Sequence, residues 1–310
     1  MDAYKEFAYV YDELMDTTPY EEWSSIIIEK IEKYGVSKPV RAMAGEDAQT
    51  AAAVLEAEDT ELLGDMSLAA DTEDGVDHEK MEEEILASER DLVVDLGCGT
   101  GNLTELLYRA GYDMIGVDNS DEMLGVAMEK RQESGSEILY LNQDMRELEL
   151  YSTVGTVVSV CDSLNYILEE EELFQVFSLI NNYLYPGGLF LFDFNTVYKY
   201  EQVIGDTTIA ENREDCSFIW ENFYDPEEEL NEYDITLFIQ QESGDFRKYT
   251  ETHFQRGYRP EQIRKLLEKA GLEIVEMKDS DTCEAVTQTT QRVFTVAREH
   301  LKKAVKKYNK

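Results

Sequence analysis

Residues 92–102 read LVVDLGCGTGN. Leu92 to Leu96 form an apolar run short enough for a buried β-strand, three glycines then make a turn, and a helix is expected to begin near Leu103. Strand, glycine turn and helix in that order open a doubly wound α/β sheet. The glycines fall at Gly97, Gly99 and Gly101, and Asn102 stands where the dinucleotide fingerprint GxGxxG needs its third glycine. Asp95 precedes the first glycine by two residues, at the very end of the strand. A loop that cradles phosphates offers backbone N–H groups at a helix N-terminus and keeps acids away. A carboxylate here repels a pyrophosphate and favours a cation, while glycine lets the backbone come close to the ligand with no Cβ in the way.

The pattern DxGxGxG resembles motif I of class I S-adenosylmethionine-dependent methyltransferases. That resemblance implies S-adenosyl-L-methionine as cofactor, a nucleoside with a sulfonium and an ammonium and no phosphate. It implies that Asp95, Gly97, Cys98, Gly99 and Gly101 surround its methionine portion. Asp118, delivered by the strand Met114 to Val117, follows the glycine turn by the interval expected of the acid that binds ribose hydroxyls, with Asn119 beside it. Capping of the next helix by Asp118 or Ser120 is the structural alternative. Asp144, in NQDM, sits where related methyltransferases place an acid against the adenine amino group, and Met145 would lie on the adenine face. Strand four, VGTVVSVCDSLNYI, breaks its apolar run at Cys161 and Asp162 and ends near Asn165, so these polar residues should line the ligand crevice. DNA- and protein-modifying members often carry (D/N)PP(Y/F/W) at this point. CDSLNY has no proline pair, which argues against a base amino group as acceptor.

Composition narrows the partners. The chain of 310 residues is long enough for one large or two modest domains, and its 67 acidic against 28 basic residues give a formal net charge of -39. So negative a molecule repels a nucleic-acid backbone. Four cysteines, Cys98, Cys161, Cys216 and Cys283, lie far apart, which indicates neither a metal site nor a disulfide framework and fits a reducing cytoplasm. The acidic start MDAYKEFAYVYDELMD is unlike a secretory signal, and no apolar run is long enough to span a membrane.

In chain order, residues 1–38 read as a helical N-terminal lid. Thr18, Pro19 and Glu21 signal a helix start, Gly35 a stop, and Trp23, Ile27, Ile31 and Tyr34 recur at helical spacing. Tyr11 belongs to an aromatic cluster before that helix. A Tyr-Asp pair in such a lid occurs in small-molecule N-methyltransferases acting on amino sugars and glycine, where the lid closes over the cofactor; a flap packed on the sheet is the plainer reading. Residues 39–90 are unusually long for a connection, and positions 41 to 90 hold 16 Asp or Glu against 3 Lys or Arg. They read as an inserted acidic loop, disordered or loosely helical, or as a docking segment for a basic partner. Residues 91–205 form the cofactor-binding core. From 206 to 256 the helical period gives way to three alternating runs, 218–224, 233–240 and 247–255, expected to form an antiparallel β cap inserted after strand five. In the third run Tyr249, Glu251, His253 and Gln255 share one face, and His253 is the histidine placed to contact substrate, a structural role being the alternative. Residues 257–298 return to the core as a helix and two strands that complete a seven-stranded, mostly parallel sheet, and 299–310 are a basic tail.

The expected activity is methyl transfer to a small-molecule N or O acceptor, with His253, Asn165 or Tyr11 orienting the acceptor or taking its proton. The cofactor carries the chemistry and no metal is required. An RNA, DNA or protein methyltransferase and a non-catalytic cofactor-binding interaction protein are the competing readings. A homodimer is left open. The chain resembles small bacterial methyltransferases with an antiparallel cap and sugar and glycine N-methyltransferases.

Overall fold

The computed structural model describes residue 8, residues 11–12, 18–41, 78–241 and 243–302, together with the backbone alone over 78–84. Most of the acidic stretch and most of the basic tail therefore lie outside the described residues.

Strand β1 (Leu92–Leu96) pairs in parallel with β2 (Asp113–Asp118) on one side and β4 (Val154–Ser159) on the other. Strand β3 (Leu139–Asn142) extends the sheet beyond β2, and β5 (Leu184–Asn195) extends it beyond β4, both in parallel. The last strand, β11 (Arg292–Glu299), runs antiparallel between β5 and β10 (Leu272–Asp279), giving the order β10-β11-β5-β4-β1-β2-β3. Order reverses at β1, between β2 and β4, which is where an open α/β sheet parts its loops to admit a ligand.

Helices cover both faces, which is why the central strands are apolar on both sides. On one face α1 (Tyr20–Tyr34) buries Ile27 and Ile31 with Leu103 and Leu107 of α3 (Asn102–Arg109), over Leu189 and Leu191 of β5. The helix over residues 20–34 is thus part of the core, and ahead of it Tyr11 reaches the cavity. It starts one residue later than expected, with Pro19 at the N-cap and no side-chain cap, so Thr18 does not cap it. On the other face α5 (Glu170–Tyr183) and α6 (Pro260–Lys269) pack over β4 and β5. Phe177 of α5 lies 5.8 and 5.6 Å from Phe190 and Phe192, two rings that stack at 4.4 Å on one face of β5. Between β2 and β3 runs α4 (Asp121–Ser134).

Two elements differ from the sequence reading. Helix α2 (His78–Asp91) occupies the end of the segment read as a disordered or loosely helical acidic loop, and it is a regular helix packed against β4 and β5. Its last turn is pinned by polar contacts that composition does not reveal. Ser37 Oγ donates to the Arg90 carbonyl at 3.1 Å, Thr153 Oγ1 to Glu89 at 2.8 Å, and the Lys38 amide to Asp91 at 3.1 Å. The cap sheet, β6-β7-β8-β9, has four strands where three runs were read: β6 (Thr208–Asn212), β7 (Cys216–Asp225), β8 (Leu230–Gln240) and β9 (Phe246–Arg256). All five residues of β6 are exposed, so no alternation of apolar and polar residues marks it.

Candidate active site

A cavity of about 580 Å³ opens at the carboxyl ends of β1, β2 and β4 and is roofed by the inner face of the cap. That volume lies within the roughly 300–1,000 Å³ typical of small-ligand sites.

The floor is the glycine turn. Gly97 and Gly99 have φ of +79° and +55°, the left-handed region where a Cβ is unfavourable. The turn has already committed its donors to the protein. The Gly97 and Cys98 amides donate to the Val117 carbonyl at 2.7 and 3.0 Å, and the Gly101 amide to the Cys98 carbonyl at 3.0 Å. The Gly99 amide donates to Asp118 Oδ2 at 2.8 Å. At the N-terminus of α3, where a pyrophosphate would sit, stands a carboxylate of the chain itself. Asp12 accepts from Thr100 Oγ1 at 2.6 Å and Asn102 Nδ2 at 2.8 Å, and pairs with Lys130 at 2.6 Å. On the floor of the cavity Asp95, Asp118, Asp144 and Asp162 are accompanied by one guanidinium, Arg146, which is itself engaged by Asp144 and Glu172. This donor set fits a cationic, phosphate-free nucleoside and rejects a pyrophosphate.

Each acid has a distinct setting. Asp95 is buried, accepts from Thr104 Oγ1 at 2.6 Å, and is pushed up to about 7 by burial. Asp118 takes the Gly99 amide on one oxygen and the Ser120 amide, at 2.9 Å, on the other. Each oxygen keeps a lone pair for a hydroxyl donor, which suits the two hydroxyls of a ribose. Burial also raises this carboxyl above the usual range. The helix cap is Ser120, whose Oγ accepts from the Met123 amide, so Asp118 is free of that duty. Asp144 is held low by the Arg146 side chain and lines the cavity beside Met145.

Just beyond strand β4 come two non-glycine residues with positive φ, Cys161 at 64° and Asp162 at 52°. Each such residue costs on the order of 1–2 kcal/mol. The Asp193 carboxylate fixes them by accepting their amides at 3.2 and 2.8 Å, and Arg292 neutralises Asp193 from 2.8 Å. Burial and the neighbouring Asp162 push the Cys161 thiol up to about 11, so it lines the site as a neutral group.

Cap residues form the roof as a grid. Trp220, Ile235 and Glu251 are directly opposed across β7, β8 and β9, and Asn222, Tyr233 and His253 form the next row. His253 stacks on Tyr233 at 5.0 Å and lies edge-on to Tyr166 at 5.9 Å, with its Nε2 3.1 Å from Glu251 Oε2. The roof is tied down by Gln255, which donates to Asp162 at 2.7 Å, and by Tyr166 and Tyr233, whose hydroxyls meet at 2.5 Å.

Most of the residues expected at the site meet here. Asp95, Gly97, Cys98, Gly99, Asp118, Asn119, Asp144, Met145, Cys161, Asp162, Tyr11 and His253 all line the cavity. Two do not. Gly101 is the N-cap of α3, packed against Tyr140, and stands behind the wall. Asn165 is wholly buried away from the cavity. Its amide donates to the carbonyls of Asn195 at 2.9 Å and Arg256 at 2.6 Å and accepts from the Asn195 amide at 2.8 Å. These three hydrogen bonds join the end of β5 to the end of the cap, so Asn165 positions the roof from behind the cavity wall. The sequence reading paired Asp12 with Tyr11 in the lid without giving it a contact, and it missed Trp220, Tyr166 and Tyr233 as site residues. For Trp220 and Tyr233 the period-two alternation of β7 and β8 was a usable signal.

Fold and floor together define an S-adenosylmethionine-dependent methyltransferase with S-adenosyl-L-methionine as its cofactor. The family described as methyltransferase domain matches residues 93–188. A protein of Geobacillus sp. (strain WCH70) that carries a methyltransferase name is 31% identical over 296 residues, covering 96% of this chain and 99% of its own. YqeM of Bacillus subtilis (strain 168), also given a methyltransferase name, is 27% identical over 94% of this chain and 95% of its own. A solved S-adenosylmethionine-dependent methyltransferase from Clostridium acetobutylicum ATCC 824 superposes with a TM-score of 0.72 at 26% identity, over 96% of this chain and 100% of that one. The chain belongs to this methyltransferase family.

Proposed function

We propose that the enzyme methylates a nitrogen or oxygen of a small molecule bound between the glycine turn and the cap. One observation carries the reading: the cap roofs a cavity of about 580 Å³ over the cofactor floor, and Arg146, the only lining arginine among the described residues, is already paired to two acids. A nucleic-acid strand needs an open basic groove. A small molecule needs an enclosed, largely apolar pocket with a few fixed polar groups.

When bound, the cofactor supplies a methyl group activated by a sulfonium. The protein's part is to exclude water and aim the acceptor. Asp118 holds the ribose end, Asp95 and the turn hold the methionine end, and Tyr11 and the cap aromatics shield the space between them. Fixed geometry of this kind contributes on the order of 7–11 kcal/mol to a bimolecular displacement.

The test is transfer from radiolabelled S-adenosylmethionine into a cell extract separated into small molecules, RNA and protein. Label is expected in the small-molecule fraction. Label confined to RNA or protein, or no transfer by protein that binds S-adenosylhomocysteine, overturns the reading.

A further inference from the structure

The roof holds a polar group that the cofactor reading does not use. Glu251 is 5% exposed and lines the cavity, and while its Oε2 meets His253, its Oε1 has no hydrogen-bond partner among the described residues. A buried carboxylate oxygen left unpaired is expensive, more so than a neutral group. In the same row Trp220 Nε1 is likewise buried and unpartnered among the described residues, with Ile235 between them. Aromatic rings share this part of the roof: Tyr233 lies 5.1 Å from Trp220 and stacks on His253, and Tyr166 lies edge-on to His253.

From these groups we infer that the acceptor is an amine, bound as its ammonium ion by Glu251 beside the aromatic rings of the roof, with a hydrogen-bond acceptor elsewhere on the molecule taken by Trp220 Nε1. This rests on the small-molecule reading above and goes further by choosing nitrogen. An alcohol could donate one hydrogen bond to Oε1 but would leave the buried negative charge uncompensated. An ammonium compensates it and gains from the ring faces as well. Strands in a sheet lie about 4.8 Å apart, so the two unpaired groups start from backbones roughly 10 Å apart, a span for a molecule larger than methylamine.

Glu251 then has a second task. A carboxylate can only accept, so His253 Nε2 carries the proton shared with Oε2 and holds the carboxylate in place. The ammonium gives one proton to Oε1, which leaves a neutral amine with a free lone pair. That nitrogen forms its bond to the methyl carbon as the carbon–sulfur bond breaks and its electron pair stays on sulfur. The product leaves as an N-methylammonium ion, and the proton on Glu251 returns to solvent.

Calorimetry on protein loaded with S-adenosylhomocysteine tests this with cyclohexylamine, a cation at pH 7.5, and its neutral isostere cyclohexanol. Wild type should bind the amine at least tenfold more tightly. Glu251→Gln should bring the two within about twofold while S-adenosylhomocysteine affinity stays unchanged. Equal affinity in wild type, or a preference that survives Glu251→Gln, overturns the inference. Should Glu251→Gln fail to hold S-adenosylhomocysteine, the wild-type preference decides, and it must fade when the amine is deprotonated above about pH 11. Label transferred only to RNA or protein removes the small-molecule reading and is seen separately from this binding preference.

Discussion

Replacing Gly97 and Gly99 separately by alanine divides the turn into its structural and its ligand-facing halves. Both have positive φ, so each Gly→Ala change carries a similar backbone cost of about 1–2 kcal/mol. Their surroundings differ. A Cβ on Gly97 would stand 2.7 Å from both Cβ and Oγ of Ser163, whose hydroxyl is held by the Val160 carbonyl at 3.0 Å. A Cβ on Gly99 meets nothing within 4 Å and projects where the cavity is open. Overpacking of the first kind adds about 1–3 kcal/mol. Gly97→Ala should therefore lose about 2–5 kcal/mol of stability in urea unfolding, and Gly99→Ala about 1–2 kcal/mol. The order reverses for the ligand relative to stability: Gly99→Ala, still well folded, should bind S-adenosylhomocysteine at least tenfold more weakly because its methyl enters the cavity. Equal stability of the two variants, or unimpaired binding by Gly99→Ala, refutes the geometry of the floor.

Asp95 predicts a pH effect whose sign follows from its carboxyl standing at about 7 instead of the usual value near 4. Between those values the folded chain keeps a proton that the unfolded chain has lost, so stability falls as pH rises through the window, by on the order of 4 kcal/mol at most. Asp95→Asn removes that slope, and unfolding curves of the two proteins between pH 5 and 8 should diverge as pH rises; parallel curves contradict the burial argument. Asn165→Ala leaves three buried partners unpaired and should cost about 3 kcal/mol or more of stability, with S-adenosylhomocysteine affinity within about threefold of wild type in the folded fraction. Lost turnover at unchanged stability would restore Asn165 to the chemistry.

The sequence disclosed what depends on local spacing. Asp95, the glycines and Asp118 lie within one strand–turn–helix–strand unit, so their separations fix their geometry. Alternation along β9 placed Glu251 and His253 on one face for the same reason. Contacts between distant segments were not legible. Nothing near Asp12 reveals that it reaches Thr100 and Lys130, and nothing in CDSLNY separates a catalytic asparagine from one that joins two strand ends. Composition left α2 between disorder and a loose helix because the few polar contacts that fix its final turn come from distant segments, and it had no pattern to detect in the fully exposed β6.

An acidic, donor-poor turn selects a nucleoside that brings positive charge and no phosphate. Titration calorimetry of the wild type and Asp118→Ala with S-adenosylmethionine and, separately, with NAD measures that selection. Wild type should bind S-adenosylmethionine and give no heat with NAD, and Asp118→Ala should bind S-adenosylmethionine about 10- to 100-fold more weakly, the worth of hydrogen bonds to a charged group. Saturable binding of NAD at the same site, or full affinity without the Asp118 carboxylate, would contradict it.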